Sequence, residues 1–181
     1  FGIKAGLVPL HVWLPEAHAS APSHVSAFMS GVIIKLGVYG IIRTTLLVGP
    51  APLWWGRLLI VVGLTSALLG ISLATYQRDL KRVFAYSSIE NVGLIVLGIG
   101  LGFWGEAAGH PTIAALGLLG ALLHLWNHAM MKGLLFLGAG AVLHATGTKD
   151  LERLGGLLRR LPIAGSLMLV GAVAKIGRAH V

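Results

Sequence analysis

The 181-residue sequence contains no cysteine, so it can supply neither a disulfide nor a thiolate for an iron–sulfur cluster or a nickel centre. Charge is scarce as well. Asp, Glu, Lys and Arg together make up 11% of the residues, against roughly 25% in a soluble domain, which excludes an ordinary water-exposed globule. Acidic groups are scarcest, 6 against 14 Lys and Arg. In a bilayer protein that excess marks basic loops held on the cytoplasmic side and requires no nucleic acid. What is plentiful is apolar: 56% of the residues are hydrophobic, and 26 are glycine without low-complexity repeats, as in helices packed closely in lipid. The fold class expected is all-α, a polytopic transmembrane helix bundle, with any redox chemistry on a partner.

A span needs about 20 mostly apolar residues to cross roughly 30 Å of hydrocarbon. Full runs occupy 23–47, 58–75, 83–103 and 113–144, the second extendable through 53–56. The last is about 48 Å long at 1.5 Å per residue and must tilt, bend or protrude. Partial runs stand at 1–14, interrupted by Pro9 and followed by Pro15, and at 163–174. Arg78, Lys81 and Arg82 crowd one connection and Lys149, Arg153, Arg159 and Arg160 another, while the alternate connections carry little positive charge. The two basic loops therefore face the cytoplasm, and alternation places residues 16–22 with them. The expected location is a prokaryotic cytoplasmic (inner) membrane.

Both ends shape the domain reading. Phe1, not Met, opens the sequence inside an apolar run, and Ile176–Val181 is the translation of a common sequencing-adapter stretch. Residues 1–174 are read as a transmembrane domain truncated at both ends, and 175–181 as a non-native tail excluded from functional reasoning.

Ionisable residues inside the apolar runs carry the functional signal. Lys35 lies 12 residues after Ser23, about 18 Å along the helix, where a lysine costs on the order of 2.5–3.5 kcal/mol to insert. Intramembrane charges of this kind face polar interiors and serve transport by default; pairing with a carboxylate that fixes packing is the structural alternative. His124, His128 and Lys132 are spaced four and four, forming one stripe of one helix over roughly 12 Å. Imidazole accepts and donates protons near neutral pH, and an amine taken out of water holds its proton less firmly, so this ladder suits a proton relay completed by water. The HxxxH pair also raises metal binding, but no HExxH glutamate or third soft ligand accompanies it; helix packing through backbone carbonyls is the other alternative. Lys4 precedes Gly6, Pro9 and Pro15, and a proline-broken helix beside a charge is a transport-site signature. His24 and Glu90 form a second tier. His24 is in helical phase with Lys35, which suggests a polar track or an interfacial cap; Glu90 either pairs with a lysine or hydrogen-bonds at the interface. His11, Glu16 and His18 read as solvated loop residues.

Three stretches carry a family resemblance: FGIKAGLVPLHVWLPEAHASAPSHVSAFMSGVIIKLGVYGIIR (1–43), DLKRVFAYSSIENVGLIVLGIG (79–100) and HLWNHAMMKGLLFLGAGAVLHATGTKDLERLGGLLRR (124–160). They resemble the antiporter-like proton-translocating membrane subunits shared by respiratory complex I, Mrp cation/proton antiporters and membrane-bound hydrogenases. The SSIENVG and AGAVLHATGTKDLERLGGL segments look most like the large antiporter-like membrane subunit of hydrogenase-4 and formate hydrogenlyase complexes.

The resemblance implies a subunit of about fourteen helices with two inverted five-helix repeats, each holding a broken helix. It matches Lys4 to the broken-helix lysine, Lys35 to the lysine of the following helix, and His124, His128 and Lys132 to the central hydrophilic axis. The glutamate that pairs with the broken-helix lysine would precede Phe1, and the charge of the second broken helix would follow Ala174; Lys175 is not taken for it. The implied function is proton translocation driven by electron transfer in partner subunits of a group 4 NiFe hydrogenase or formate hydrogenlyase-like oxidoreductase. NiFe and iron–sulfur centres are expected on those partners and no cofactor, metal or redox centre on this chain. Other membrane subunits, a peripheral hydrogenase or dehydrogenase arm and the lipid bilayer are the implied partners. An Mrp-type Na+/H+ antiporter subunit, a complex I antiporter-like subunit and a non-conducting anchor for the peripheral arm are the rival readings.

Overall fold

The computed structural model describes residues 1–176, so residues 177–181 of the expected tail lie outside the described residues. Two short helices open the chain, α1 (Gly2–Ala5) and α2 (Trp13–Ser20). α3 (Ser23–Phe28) runs through a π-helical turn (Met29–Ile33) into α4 (Ile34–Val48). Then come α5 (Leu53–Thr75), α6 (Leu80–Ala107), α7 (Pro111–Thr146), a 3₁₀ turn (Leu151–Arg153), α8 (Leu157–Arg160) and α9 (Pro162–Ile176). Four helical units are long and apolar enough to cross a membrane: Ser23–Val48, Leu53–Thr75, Leu80–Ala107 and Pro111–Thr146. They coincide with the four full runs of the sequence, and α5 takes up the 53–56 extension.

Local chemistry sets the ends. Asp79 caps α6, its carboxylate accepting from the backbone N–H of Lys81 at 2.8 Å and of Arg82 at 3.1 Å, which satisfies two otherwise orphaned donors. α7 starts on Pro111, where the missing N–H costs nothing, and stops at Gly147, whose φ of 71° is left-handed. At 36 residues α7 measures about 54 Å and exceeds the hydrocarbon thickness.

The first segment is broken as its prolines predict. Gly6 leaves α1 at φ 74°, and the chain turns until Trp13. Backbone groups freed in this way are tolerated in a bilayer only where protein or water satisfies them. Here the Val8 N–H donates to the Ser66 hydroxyl on α5 at 3.0 Å, and the Trp13 Nε1–H donates to the Ile3 carbonyl at 2.9 Å.

α6 is the central helix, burying Ile89, Val92, Ile95, Val96, Ile99 and Phe103 against its neighbours. Its contact with α5 follows glycines seven residues apart. A Cβ on Gly56, Gly63 or Gly70 would stand 2.5 Å from a backbone nitrogen of α6, so the two backbones approach as only small residues permit. A seven-residue period keeps such a seam facing its partner along the helix.

The connections after α2, α5 and α7 meet at one end of the bundle. Leu80 N–H donates to the Lys149 carbonyl at 2.9 Å and Leu151 N–H to the Arg78 carbonyl at 2.8 Å. Lys149 pairs with Asp79 at 2.8 Å and also donates to the Ala19 carbonyl at 3.0 Å, while Lys81 donates to the Ala21 carbonyl at 2.7 Å. Arg82 pairs with Glu16 at 2.7 Å. The two basic loops and residues 16–22 thus share a side, as charge alternation required.

Candidate functional site

Lys132 is held by α6, and Lys35 by its own helical unit. Lys35, on α4, is buried, and its ammonium donates to the backbone carbonyl of Ser30 inside the π-helical turn. Such turns depart from the regular i to i−4 ladder and recur at functional sites. Here the turn places the Ser30 carbonyl where a side chain five residues on can reach it. Lys132, on α7, is 1% exposed. Its ammonium donates to the Phe84 carbonyl at 2.7 Å and to the Ser87 hydroxyl, and it lies 5.7 Å from the centre of the Phe84 ring. Both amines therefore offset their desolvation with hydrogen bonds.

A hydroxyl pair links these two sites. Ser30 Oγ and Ser88 Oγ are 2.9 Å apart, with either able to donate, and Ser88 Oγ donates to the Phe84 carbonyl at 2.9 Å. From Lys35 the connection passes through Ser30 itself, from its carbonyl to its hydroxyl, and then by hydrogen bonds through Ser88 to the carbonyl used by Lys132. Both serines are fully buried.

Above Lys132, α7 presents His128 and His124, their rings near parallel at 19° with centroids 6.2 Å apart. His128 is fully buried. His124 Nε2 lies 3.0 Å from Asn91 Oδ1, and Asn91 Nδ2 donates to the Ser87 carbonyl at 2.7 Å. One face of α6 thus supplies Phe84, Ser87, Ser88 and Asn91 opposite the His124–His128–Lys132 stripe.

Other expected residues fall elsewhere. Lys4 is exposed on α1, and His24 is exposed on α3; neither belongs to the connection between Lys35 and Lys132. The phase match between His24 and Lys35 assumed an unbroken α-helix. The intervening π turn (Met29–Ile33) rotates the register by roughly a quarter turn, so the two side chains do not share the helical phase on which that reading rested. Glu90 is half-buried on α6, its backbone against Gly70 of α5. Glu16 is exposed and ion-paired, solvated as expected but within helix α2 rather than in a loop.

His18 overturns the solvated reading. It is fully buried, its ring stacked on Phe136 at 4.5 Å and 14°, and neither ring nitrogen has a hydrogen-bond partner among the described residues. Phe136 lies one helical turn beyond Lys132 and meets Phe84 edge-on at 5.7 Å. Burial and then the positive charges of Lys132, Lys81 and Lys35 favour the neutral imidazole. No sequence signal marked it, because Glu16 and Pro22 beside it read as a solvated turn. Among the described residues there is no group of three His, Asp or Glu placed to hold a metal ion.

Comparison with known proteins follows the same lines. Residues 1–178 match the family described as NADH:quinone oxidoreductase/Mrp antiporter, transmembrane. Over 177 residues the chain is 49% identical to hydrogenase-4 component B of Escherichia coli K12, covering 96% of this chain and 26% of that protein. Over 174 residues it is 46% identical to formate hydrogenlyase subunit 3 of the same organism, covering 96% of this chain and 29% of that protein. The chain thus spans somewhat over a quarter of the length of these curated relatives. Among solved structures, respiratory complex I from Thermus thermophilus with bound NADH contains a chain that superimposes with a TM-score of 0.83 at 30% identity, covering 97% of this chain and 36% of that one.

Proposed function

Because this chain belongs to the NADH:quinone oxidoreductase/Mrp antiporter transmembrane family, we propose that it forms part of a subunit that moves protons across a prokaryotic cytoplasmic membrane. The subunit is multi-pass, and the complex it serves is of the hydrogenase-4 or formate hydrogenlyase kind. NiFe and iron–sulfur centres sit on partner subunits in a peripheral arm, and further membrane subunits flank this one. The single observation that carries the reading is the burial of Lys35 and Lys132 on either side of a buried serine pair, Lys35 on the Ser30 carbonyl and Lys132 on the carbonyl that Ser88 also uses.

The chemistry follows from that arrangement. Each amine is held in the apolar interior by protein hydrogen bonds in place of water, and electrostatic forces there are screened little. A field change caused by electron transfer in the peripheral arm therefore acts on these amines and drives a proton from one of them onward. Lys132 hands protons to the His128–His124 ladder through water, each imidazole accepting at one nitrogen and releasing at the other. His18, neutral and buried beside Phe136, is a further imidazole on the side of the basic loops.

The test is proton flux and electron transfer measured together in the whole complex reconstituted in vesicles. Lys35→Met and Lys132→Met are each expected to lower flux by about a hundredfold, the contribution of one positioned acid–base group, while peripheral electron transfer continues in part. Full pumping in both variants removes these lysines from the mechanism and favours a non-conducting anchor. A flux that requires sodium on the opposite side favours exchange of the Mrp kind.

A further inference from the structure

Four hydroxyl or carbonyl oxygens lie between the two buried lysines, and only two of them can turn. Ser30 and Ser88 come from different helical units 58 residues apart in sequence, meet at 2.9 Å, and are fully buried. Serine is ordinary in membrane helices and most often bonds its own helix four residues back. Ser88 does this with the Phe84 carbonyl at 2.9 Å, but that oxygen also accepts from Lys132 at 2.7 Å. Ser30 in turn contributes its carbonyl to Lys35 and its hydroxyl to Ser88.

From this shared geometry we infer that the Ser30–Ser88 hydroxyl pair couples the protonation of Lys35 to that of Lys132, acting as two positioning residues. The inference rests on the proton-translocating reading above. While Lys132 is charged, its ammonium shares the Phe84 carbonyl with the Ser88 hydroxyl and weakens the bond that Ser88 makes there. When Lys132 has given up its proton, the Ser88 bond to that carbonyl tightens, and the Ser88 oxygen becomes a better acceptor for the Ser30 hydroxyl. The strength of the Ser30–Ser88 bond thus reports the state of Lys132 to the turn that holds Lys35. Bonds in such a chain polarise one another in a dry interior. No covalent bond forms or breaks in the serines, and each hydroxyl proton stays on its own oxygen.

The experiment uses the complete complex in vesicles, with Ser30→Ala, Ser88→Ala, the double variant, and Ser30→Thr and Ser88→Thr, reading proton flux beside peripheral electron transfer. Each alanine variant is expected to lose flux about five- to tenfold, the effect of one buried hydrogen bond. The double variant should be no worse than either single one, and threonine, which keeps the hydroxyl, should restore most of the flux. Replacing both partners leaves no unpaired polar group in the pair, so the double variant is expected to assemble. Unchanged flux in the double variant, multiplying effects of the two single ones, or failure of the double variant to assemble each overturns the inference. Lys35→Met and Lys132→Met measured in parallel separate the two claims. If they lose flux while the double serine variant keeps it, only the coupling fails; if they keep flux, the functional reading fails first.

Discussion

Lys132 of α7 and Ser88 of α6 donate to the same oxygen, the Phe84 carbonyl, at 2.7 and 2.9 Å. A carbonyl has two lone pairs, so both bonds fit while the lysine is charged. The relation turns the lysine's proton into a quantity that its neighbours can register.

Lys132→Arg follows directly. A guanidinium retains the positive charge and several donors but does not give up its proton at any working pH. Assembly should survive, while proton flux in the reconstituted complex falls by about a hundredfold, as for loss of a positioned acid–base group. Flux at the parental rate would mean that Lys132 acts as a fixed charge.

His18→Phe retains an aromatic ring against Phe136 and removes both ring nitrogens. Because those nitrogens have no hydrogen-bond partner among the described residues, the substitution should leave thermal stability within about 1 kcal/mol, as volume-conserving swaps do. Proton flux should nevertheless drop severalfold if the imidazole carries protons. Unaltered flux beside unaltered stability would confine His18 to packing.

The α5–α6 seam gives a stability test independent of transport. A methyl group on Gly63 would meet the Leu97 nitrogen at 2.5 Å, whereas nothing lies within 4 Å of one on Gly120 of α7. Gly63→Ala should therefore destabilise the subunit by about 1–3 kcal/mol, the usual cost of overpacking. Gly120→Ala should be neutral or stabilising by up to about 1 kcal/mol through helix propensity. Thermal unfolding in detergent distinguishes them, and equal shifts would contradict the close approach of these backbones.

Asp79 combines a helix cap with an ion pair to Lys149. Asp79→Asn keeps an oxygen for the cap and loses only the pair, which is partly solvated and worth about 0–1 kcal/mol. Asp79→Ala loses both, at roughly 1–2 kcal/mol more for the cap. Proteolysis of the loops at the basic end should rise little in the first variant and clearly in the second.

The spans were legible because a hydrocarbon layer imposes its thickness on sequence, and Lys35, His128 and Lys132 were legible because a titratable group in an apolar run is conspicuous. The partners of these groups were not. Ser30, Ser87 and Ser88 are of a type tolerated anywhere along a membrane helix, and their role depends on which helices face one another. The π turn at Met29–Ile33 left no residue signature, so the helical phase joining His24 to Lys35 holds only for a regular helix that the chain does not form. His18 was obscured by its loop-like neighbours, and its burial arises from α7, more than a hundred residues away.

The most direct measurement of the central claim is a double-mutant cycle on proton flux in the whole complex, comparing Lys35→Met, Lys132→Met and the combined variant. If both amines belong to one continuous path, the combined variant loses no more flux than the worse single variant, a coupling expected of groups in one network. Losses that multiply would place the two lysines in separate paths, and flux retained in the combined variant would contradict the account outright.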